Sequence, residues 1–446
     1  MRSILNMADS LAGLLKPQQF REGEPYRLMR FVVSQPVEGG LLLYHVMTKA
    51  MVLLDTDEAA RLSGDPSSIP GLVAQWFAVP QDHDDRKLAM EVRMVGKMLQ
   101  DPVRAIRSYT ILTTTDCNAR CFYCYEKGRS RIPMSDGIAV QTAAFIIKHS
   151  KGEKVRLRWF GGEPLYNKRV ITRICSLLDE AGIEYKSSMI SNGLLFDDET
   201  VAEAVRDWKL SKVQVTLDGT EEIYNKVKNY IDPPGNPFMR VIGNIRRLLD
   251  AKVRVSIRLN IDRHNAEDLF TLAEQLGEAF GGDPLVRVYS HSLFESCAPG
   301  ASVKHSDAQR KELSDTRMRL LVRLRELGLY RPPRLNRSIK LNRCMADNDS
   351  SVVILPDGHI GKCEHFTDSD WFAHVGEEGR DESVLEGFKA MRPELDVCAE
   401  CTCYPDCFRL AKCGETAHCY PEDREEMLAV LRQQMLYLYQ NHEVQD

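Results

Sequence analysis

The chain has 446 residues, 43% hydrophobic and 28% charged, enough to bury a substantial core without a disulfide framework; at ~150 residues per domain, about three domains are expected. With 59 Lys and Arg against 64 Asp and Glu the formal net charge is −5, which gives no support to a nucleic-acid binder. No run approaches the ~18 to 20 apolar residues of a membrane span, and the N-terminal apolar stretch carries Asp9 and no small-residue cleavage site, so a cytoplasmic enzyme with no membrane role is expected.

The first hundred residues open with short β-rich runs at 27–35 (RLMRFVVSQ), 41–45 and 49–54. Gly39-Gly40 joins the first two as a hairpin signal, and Met47-Thr48 makes a tight connection to the third. Helical segments are expected at 57–62, 70–77 and 84–100. Three strands with short helices suggest a small winged-helix-like module, which on pattern alone could be a purely structural extension.

From residue 108 strands alternate with helices. Strands are expected at 109–114, 155–160, 185–191, 212–217, 253–261 and 285–289, with helices at 135–150, 168–181, 198–208, 237–251 and 266–280. Six strands separated by helices imply parallel βα units, hence an α/β sheet or partial barrel. Ligands in such folds gather at the carboxyl ends of the strands. A charged helical segment, 306–328, leads through Pro332-Pro333 into a Cys-rich tail with little periodic structure. Such a tail needs something other than a hydrophobic core, and bound metal would serve.

The thirteen cysteines are unevenly placed. Cys117, Cys121 and Cys124 form one tight group, eight more lie between Cys344 and Cys419, and Cys175 and Cys297 stand alone. In a reducing compartment such clusters hold metal or do redox chemistry more often than they form disulfides. The spacing C-x3-C-x2-C directly follows the first strand of the βα region; its chance odds are roughly one in a thousand at this composition. Three thiolates on one loop can ligate three irons of a 4Fe–4S cube and leave the fourth iron without a protein ligand. Structural zinc is the rival, but it wants four ligands and no fourth Cys or His lies nearby.

This triad, with the aromatic Tyr123 before its last Cys, resembles the signature of the radical S-adenosylmethionine (SAM) enzymes. The resemblance implies a partial (β/α)6 TIM-like barrel, with SAM on the open iron as the source of a 5′-deoxyadenosyl radical that abstracts hydrogen from substrate. It extends over most of 108–291. Gly161-Gly162-Glu163 closes the second strand and matches the family's GGE motif, implying contact with the SAM amino group; glycines permit close backbone approach and a carboxylate suits an ammonium. Ser191-Asn192-Gly193 ends the third strand, where the family sets polar side chains against the SAM ribose, though the same residues are common turn chemistry. Arg258 is a candidate for the SAM carboxylate. Leu217-Asp218-Gly219 resembles the LDG element of the peptide-modifying branch, which makes Asp218 a candidate catalytic base or substrate-orienting carboxylate; an Asp-Gly turn is the plain alternative.

The tail reads Cys344-x13-Gly358-x4-Cys363, a gap, then Cys398-x2-Cys401-x5-Cys407-x5-Cys413-x5-Cys419. It is similar to the SPASM pattern, the auxiliary-cluster domain of radical SAM enzymes acting on peptides, and departs from it after Cys407, where the family's x3 becomes x5. Cys403 is an additional thiol. The resemblance implies two auxiliary 4Fe–4S clusters, one on Cys398, Cys401, Cys407 and Cys419 and one on Cys344, Cys363 and Cys413, three clusters in all. The stretch 336–343 lacks the further Cys of fully ligated relatives, so Cys403 or a substrate group is expected to complete the second set. That both clusters merely stabilise a core-poor tail remains the alternative.

The layout implied is a leader-recognition module at 1–104, a radical SAM barrel at 105–295, a helical bridge at 296–335 and a SPASM domain at 336–446. That arrangement resembles maturases of ribosomally synthesised peptides, whose N-terminal module adds the precursor's leader as a strand at a sheet edge. The expected reaction is a Cys sulfur-to-carbon thioether, as in sactipeptide and ranthipeptide maturases, with a reductant such as flavodoxin or ferredoxin. Carbon–carbon or carbon–oxygen cross-linking and formylglycine formation are alternatives within the family. A non-catalytic iron–sulfur protein that binds a peptide is the reading from outside it.

Overall fold

The computed structural model describes residues 1–99, 103, 105–124, 126–233, 235–293, 306–338, 341–342, 344–365, 368–407, 410–413 and 419–442. Cys297 and Arg343 lie outside the described residues.

The N-terminal region contains β1 (Arg2–Leu5), α1 (Asp9–Ala12), β2 (Tyr26–Leu28), β3 (Val32–Val37), β4 (Gly40–His45), β5 (Met51–Asp55), α2 (Thr56–Leu62), β6 (Ala78–Pro80) and α3 (Asp85–Met98). Four strands form an antiparallel sheet in the order β1-β5-β4-β3, and β2 pairs with β6 in a second, two-stranded sheet. The hairpin at Gly39-Gly40 closes on a Val37–Gly40 pair, with Gly39 at φ +77°, a conformation that glycine adopts without steric cost. Asp55 caps α2 in a reciprocal capping box with Glu58, and Asp84 caps α3.

Two expectations here need correction. The run 27–35 is not one strand: its first residues pair with β6, and the chain turns at Met29–Val32 before β3 begins. Met29, Phe31 and Val33, at every second position, are buried in one apolar cluster, so the strand-like alternation runs straight through the turn and hides it. The segment 70–77 is a series of turns rather than a helix, because Gly71 and Trp76 stand at positive φ, which an α-helix does not allow.

Six parallel strands follow: β7 (Ser108–Thr114), β8 (Val155–Gly161), β9 (Tyr185–Ser191), β10 (Leu210–Leu217), β11 (Arg254–Ile261) and β12 (Val286–Ser292). Between them run α4 (Asp136–Ser150), α5 (Lys168–Glu180), α6 (Asp198–Arg206), α7 (Glu221–Lys228), α8 (Pro237–Asp250) and α9 (Asp268–Phe280), and α10 (Asp307–Glu326) follows β12. Parallel neighbours require crossovers, and helices supply them here. Residues Val155, Leu157 and Trp159 alternate inward along β8, and the same core contains Tyr109, Trp208 and Val213. The short α7, directly after Asp218, was not anticipated.

The tail does not stand apart from this sheet. β13 (Ser351–Ile354) lies parallel to β7, and β14 (His359–Gly361) and β15 (Ala373–His374) continue antiparallel, giving nine strands in the order β12-β11-β10-β9-β8-β7-β13-β14-β15. The tail also contains α11 (Glu382–Lys389) and the 22-residue α12 (Pro421–His442). Met435 of α12 is fully buried, and Leu428, Leu431 and Leu438 pack with it on the cluster formed by Val33, Leu42, Tyr44 and Met51 of the N-terminal sheet. Among the described residues no helix is long and apolar enough to cross a membrane.

Candidate functional site

The Cys117–Cys124 loop springs from the carboxyl end of β7. Thr114 Oγ1 accepts the Asp116 amide at 2.9 Å, and Asp116 Oδ1 accepts that of Cys117 at 2.8 Å. The end of β8 closes against this loop through backbone alone: the Gly162 and Glu163 amides donate to the Thr114 and Asp116 carbonyls, each at 2.9 Å. A Cβ at Gly161 would stand 2.1 Å from the Thr114 oxygen, and one at Gly162 would stand 2.2 Å from the Asp116 oxygen. Only glycines fit there.

That approach sets Glu163 fully inside. Its carboxylate accepts from Ser191 Oγ at 2.9 Å, the Asn192 amide at 2.9 Å and the Leu165 amide at 3.2 Å. Burial pushes its pKa up to about 7 against those bonds, which favour the charged form. Asn192 also reaches the cysteine loop: its Nδ2 donates to Asn118 Oδ1 at 2.6 Å and lies 3.9 Å from Cys117 Sγ. Gly161, Gly162, Glu163, Ser191, Asn192 and Cys117 thus form one connected group.

Tyr123 points the other way. Its hydroxyl donates to Asp218 Oδ1 at 2.8 Å. Asn260 Nδ2 reaches both groups, at 3.0 and 2.9 Å, and Arg258 Nε donates to Asn260 Oδ1 at 2.9 Å. Lys228, at the end of α7, was missed by the sequence reading. Its Nζ lies 2.9 Å from Asp218 Oδ2, 3.1 Å from the Tyr123 hydroxyl and 2.7 Å from Thr216 Oγ1. Burial, the largest single influence, would lower the pKa of Lys228, but the Asp218 carboxylate together with Tyr123, Cys121 and Tyr224 outweighs it and the ammonium is held well above its usual range. The Lys228 carbonyl also accepts the Arg120 amide at 2.8 Å, stitching the cysteine loop to α7. An isolated Lys ten residues after Asp218 carries no sequence signal of such a role.

Burial is the largest cause raising the thiol pKa values in the loop, to about 12 for Cys117 and about 11 for Cys124, with Cys121 moved in the same direction. Burial thus favours the neutral thiol, so metal binding at this loop would have to release protons.

The tail cysteines fall into two groups. Cys344, Cys363 and Cys413 pack on one small apolar cluster with Ala346, Phe388 and Leu410. Cys398 and Cys401 pack instead against the N-terminal sheet's cluster. Cys403 hydrogen-bonds Cys401 and feels Cys407 electrostatically, and Arg424 donates to Cys419 Sγ at 3.3 Å while also facing Cys401. Cys403 therefore stands with Cys398, Cys401, Cys407 and Cys419, not with Cys344. Among the described residues no three cysteine, histidine or carboxylate side chains converge as one ion requires. In a cubane each iron takes its own thiolate, so the ligands are spread around the cluster. The all-sulfur donor sets are soft ligands of the kind iron–sulfur clusters take.

Residues 111–276 match the Radical SAM superfamily, so this part of the chain is a radical SAM domain, and the match implies SAM and a 4Fe–4S cluster. A probable GTP 3′,8-cyclase of Methanocaldococcus jannaschii is 33% identical over 158 residues, 34% of this chain and 48% of the relative. The Fe-coproporphyrin III synthase of Methanosarcina barkeri is 25% identical over 37% of this chain and 39% of its own length. The chain thus spans less than half the length of either relative. A solved structure of anSMEcpe with bound AdoMet superposes at a TM-score of 0.57 and 15% identity, covering 75% of this chain and 98% of that one. Streptococcus suis SuiB superposes at 0.50 and 14% identity, covering 87% and 99%. These likenesses establish an α/β radical SAM fold.

Proposed function

We propose that this chain is a radical SAM maturase that cross-links a Cys sulfur to a carbon of a ribosomally made precursor peptide. Cys117, Cys121 and Cys124 would hold the SAM-binding cluster. When bound, that cluster supplies the electron that cleaves SAM, and the nucleoside radical released takes hydrogen from the substrate. SAM would be held by Gly161–Glu163 and Arg258, with Ser191 and Asn192 at its ribose; Glu163 accepts three bonds from the chain, which leaves a carboxylate lone pair for an ammonium. Asp218 and Tyr123, tied by Lys228, would hold the cavity wall beside the cysteine loop. A peptide substrate is supported by the fold likeness to anSMEcpe, which has also been solved with AdoMet and a Cp18Cys peptide.

The grouping of Cys344, Cys363 and Cys413 without Cys403 carries the thioether reading. Three thiolates leave one iron of a cube for a substrate thiolate. The five remaining tail cysteines suffice for a second auxiliary cluster. Leader recognition would fall to the N-terminal module, where Met90, Met94 and Met98 form an exposed stripe on α3; methionines adapt to varied peptide surfaces.

The test is anaerobic turnover of a Cys-containing precursor peptide with SAM and dithionite. The expected product has lost two hydrogens per cross-link and resists thiol alkylation. A product of the same mass with its thiol still alkylatable would instead indicate carbon–carbon or carbon–oxygen cross-linking.

A further inference from the structure

The tail's second cysteine group is covered by the N-terminal sheet, and the contact is charged in one sense. Arg30, Lys49 and Arg86 on the N-terminal side pair with Glu400, Asp406 and Glu394 of the tail. Phe31 stacks on Tyr404 at 6.4 Å between centroids, and Tyr404 in turn bonds Glu394 at 2.6 Å. Arg86 and Glu394 are partly open to solvent, but Lys49 is not: its side chain is fully buried and its Nζ meets Asp406 Oδ2 at 2.6 Å. Lys49 also stands at φ +65° in the turn between β4 and β5, a strained conformation that persists where its surroundings dictate it.

Asp406 lies on the single 3-10 turn, Tyr404–Asp406, that separates Cys403 from Cys407. Its amide bonds the Cys403 carbonyl at 3.0 Å, and the Cys407 amide bonds that of Tyr404 at 3.2 Å. A cation buried 2.6 Å from this carboxylate fixes the turn and offsets its charge where an iron–sulfur cluster would add more negative charge.

We propose that Lys49 is a positioning residue for the tail's Cys398–Cys419 cluster, making the N-terminal sheet part of that iron–sulfur site: the ammonium holds the Cys403–Cys407 turn through Asp406 and makes the cluster easier to reduce. The inference rests on the three-cluster reading above. Cluster potentials respond to net charge and hydrogen bonding around the sulfurs, so the two partners of the pair have opposite effects. Lys49→Met leaves a carboxylate without its cation and moves one auxiliary potential to more negative values. Asp406→Asn removes the negative charge that faces the ammonium and moves the same potential to more positive values. A role limited to packing gives no such opposition of sign.

The experiment is iron analysis and EPR redox titration of the reconstituted full-length wild type, Lys49→Met, Lys49→Arg and Asp406→Asn, with the SAM-induced change at the Cys117 cluster as internal control. Opposed shifts support the proposal, as does loss of about four irons in Lys49→Met that Lys49→Arg restores. Wild-type iron and potential in Lys49→Met, shifts of one sign in both variants, or iron loss that Lys49→Arg does not restore overturns it. A wild type holding only about four irons overturns the three-cluster reading itself, and the Lys49 proposal with it.

Discussion

Lys228 Nζ lies 2.9 Å from Asp218 Oδ2 with both side chains at most 2% exposed, and the same ammonium reaches the hydroxyl of Tyr123 in the cysteine loop. This ion pair ties the carboxyl end of β10 to the C-terminus of α7 and to the aromatic between Cys121 and Cys124. Breaking a buried pair from one side strands the other charge, which costs about 3 to 5 kcal/mol. Lys228→Met is therefore expected to lower unfolding stability by that order in urea melts. It should also loosen Tyr123 enough to reduce SAM cleavage at least tenfold. A variant of wild-type stability and cleavage rate would show that the pair holds nothing in place.

Gly161 and Gly162 give a sharper test because their constraint is steric. An added Cβ at Gly162 would fall 2.2 Å from the Asp116 oxygen, so Gly162→Ala must part the β8 end from the cysteine loop. The expected result is loss of the SAM-dependent EPR change at the Cys117 cluster, with the tail's clusters retained. Gly193→Ala meets only Val215 and Val241 side-chain carbons, at 3.1 Å and beyond. It should be milder in packing, although its φ of +84° still strains alanine.

The barrel was largely legible in the sequence because strands such as β8 and β9 alternate cleanly, although β7 and β11 are buried almost throughout. β9 runs from Tyr185 to Ser191 as read, with Tyr185, Ser187, Met189 and Ser191 turned inward. The attachment of β13 to β7 was not legible, since spacing along a Cys-rich tail says nothing of which sheet edge it meets. The apolar positions 428, 431, 435 and 438 do recur on a helical period, but that period says nothing of the N-terminal sheet on which α12 docks. Lys228 was invisible for a different reason. A charged residue on an eight-residue helix reads as solvated, and its burial depends on Asp218 and Tyr123 from other elements. The side on which Cys403 falls was open for a related reason: it is set by the short turn between Cys403 and Cys407, not by spacing.

Met435 offers a check on the docking of α12. It is fully buried among side chains of the N-terminal sheet, and truncation of a buried Met costs about 2 to 5 kcal/mol. Met435→Ala should lower the thermal midpoint clearly, whereas Met427→Ala, on the exposed side of the helix, should leave it within experimental error.

Glu163 predicts a pH dependence in the SAM-free protein. Its folded pKa is raised from the ordinary value of 4.5 to about 7 by burial, so the folded state binds the proton more tightly than the unfolded one. The stabilisation from that proton is fully present below pH ~4.5 and is lost as pH rises through ~7, at up to about 1.4 kcal/mol per pH unit. Glu163→Gln carries no titrating proton and should lack this decline. The measurement is the difference in unfolding free energy between wild type and variant from pH 4.5 to 8. A difference independent of pH would show that the carboxylate titrates normally.

Cys403 decides how the tail's clusters are completed. It lies with Cys401 and Cys407, in a group that already offers four other thiols. Cys403→Ala is expected to retain about twelve irons per chain and to retain cross-linking. Loss of about four irons would make Cys403 a ligand of that group and require one of its four companions to be dispensable.

The exposed methionines of α3 separate recruitment from radical chemistry. Deleting residues 1–100 would uncover Cys398, Tyr404 and Met435, all packed against the N-terminal sheet, so truncation would damage the tail as well as any leader site. Point substitutions avoid this. Met90 and Met94 are 52% and 58% exposed one helical turn apart, so Met90→Glu with Met94→Glu leaves the core intact and sets two charges on the stripe. Precursor binding should weaken at least tenfold by fluorescence anisotropy, while peptide-free SAM cleavage stays at the wild-type rate. Unaltered peptide affinity would move the leader site off α3, and loss of SAM cleavage would show that the helix also supports the barrel.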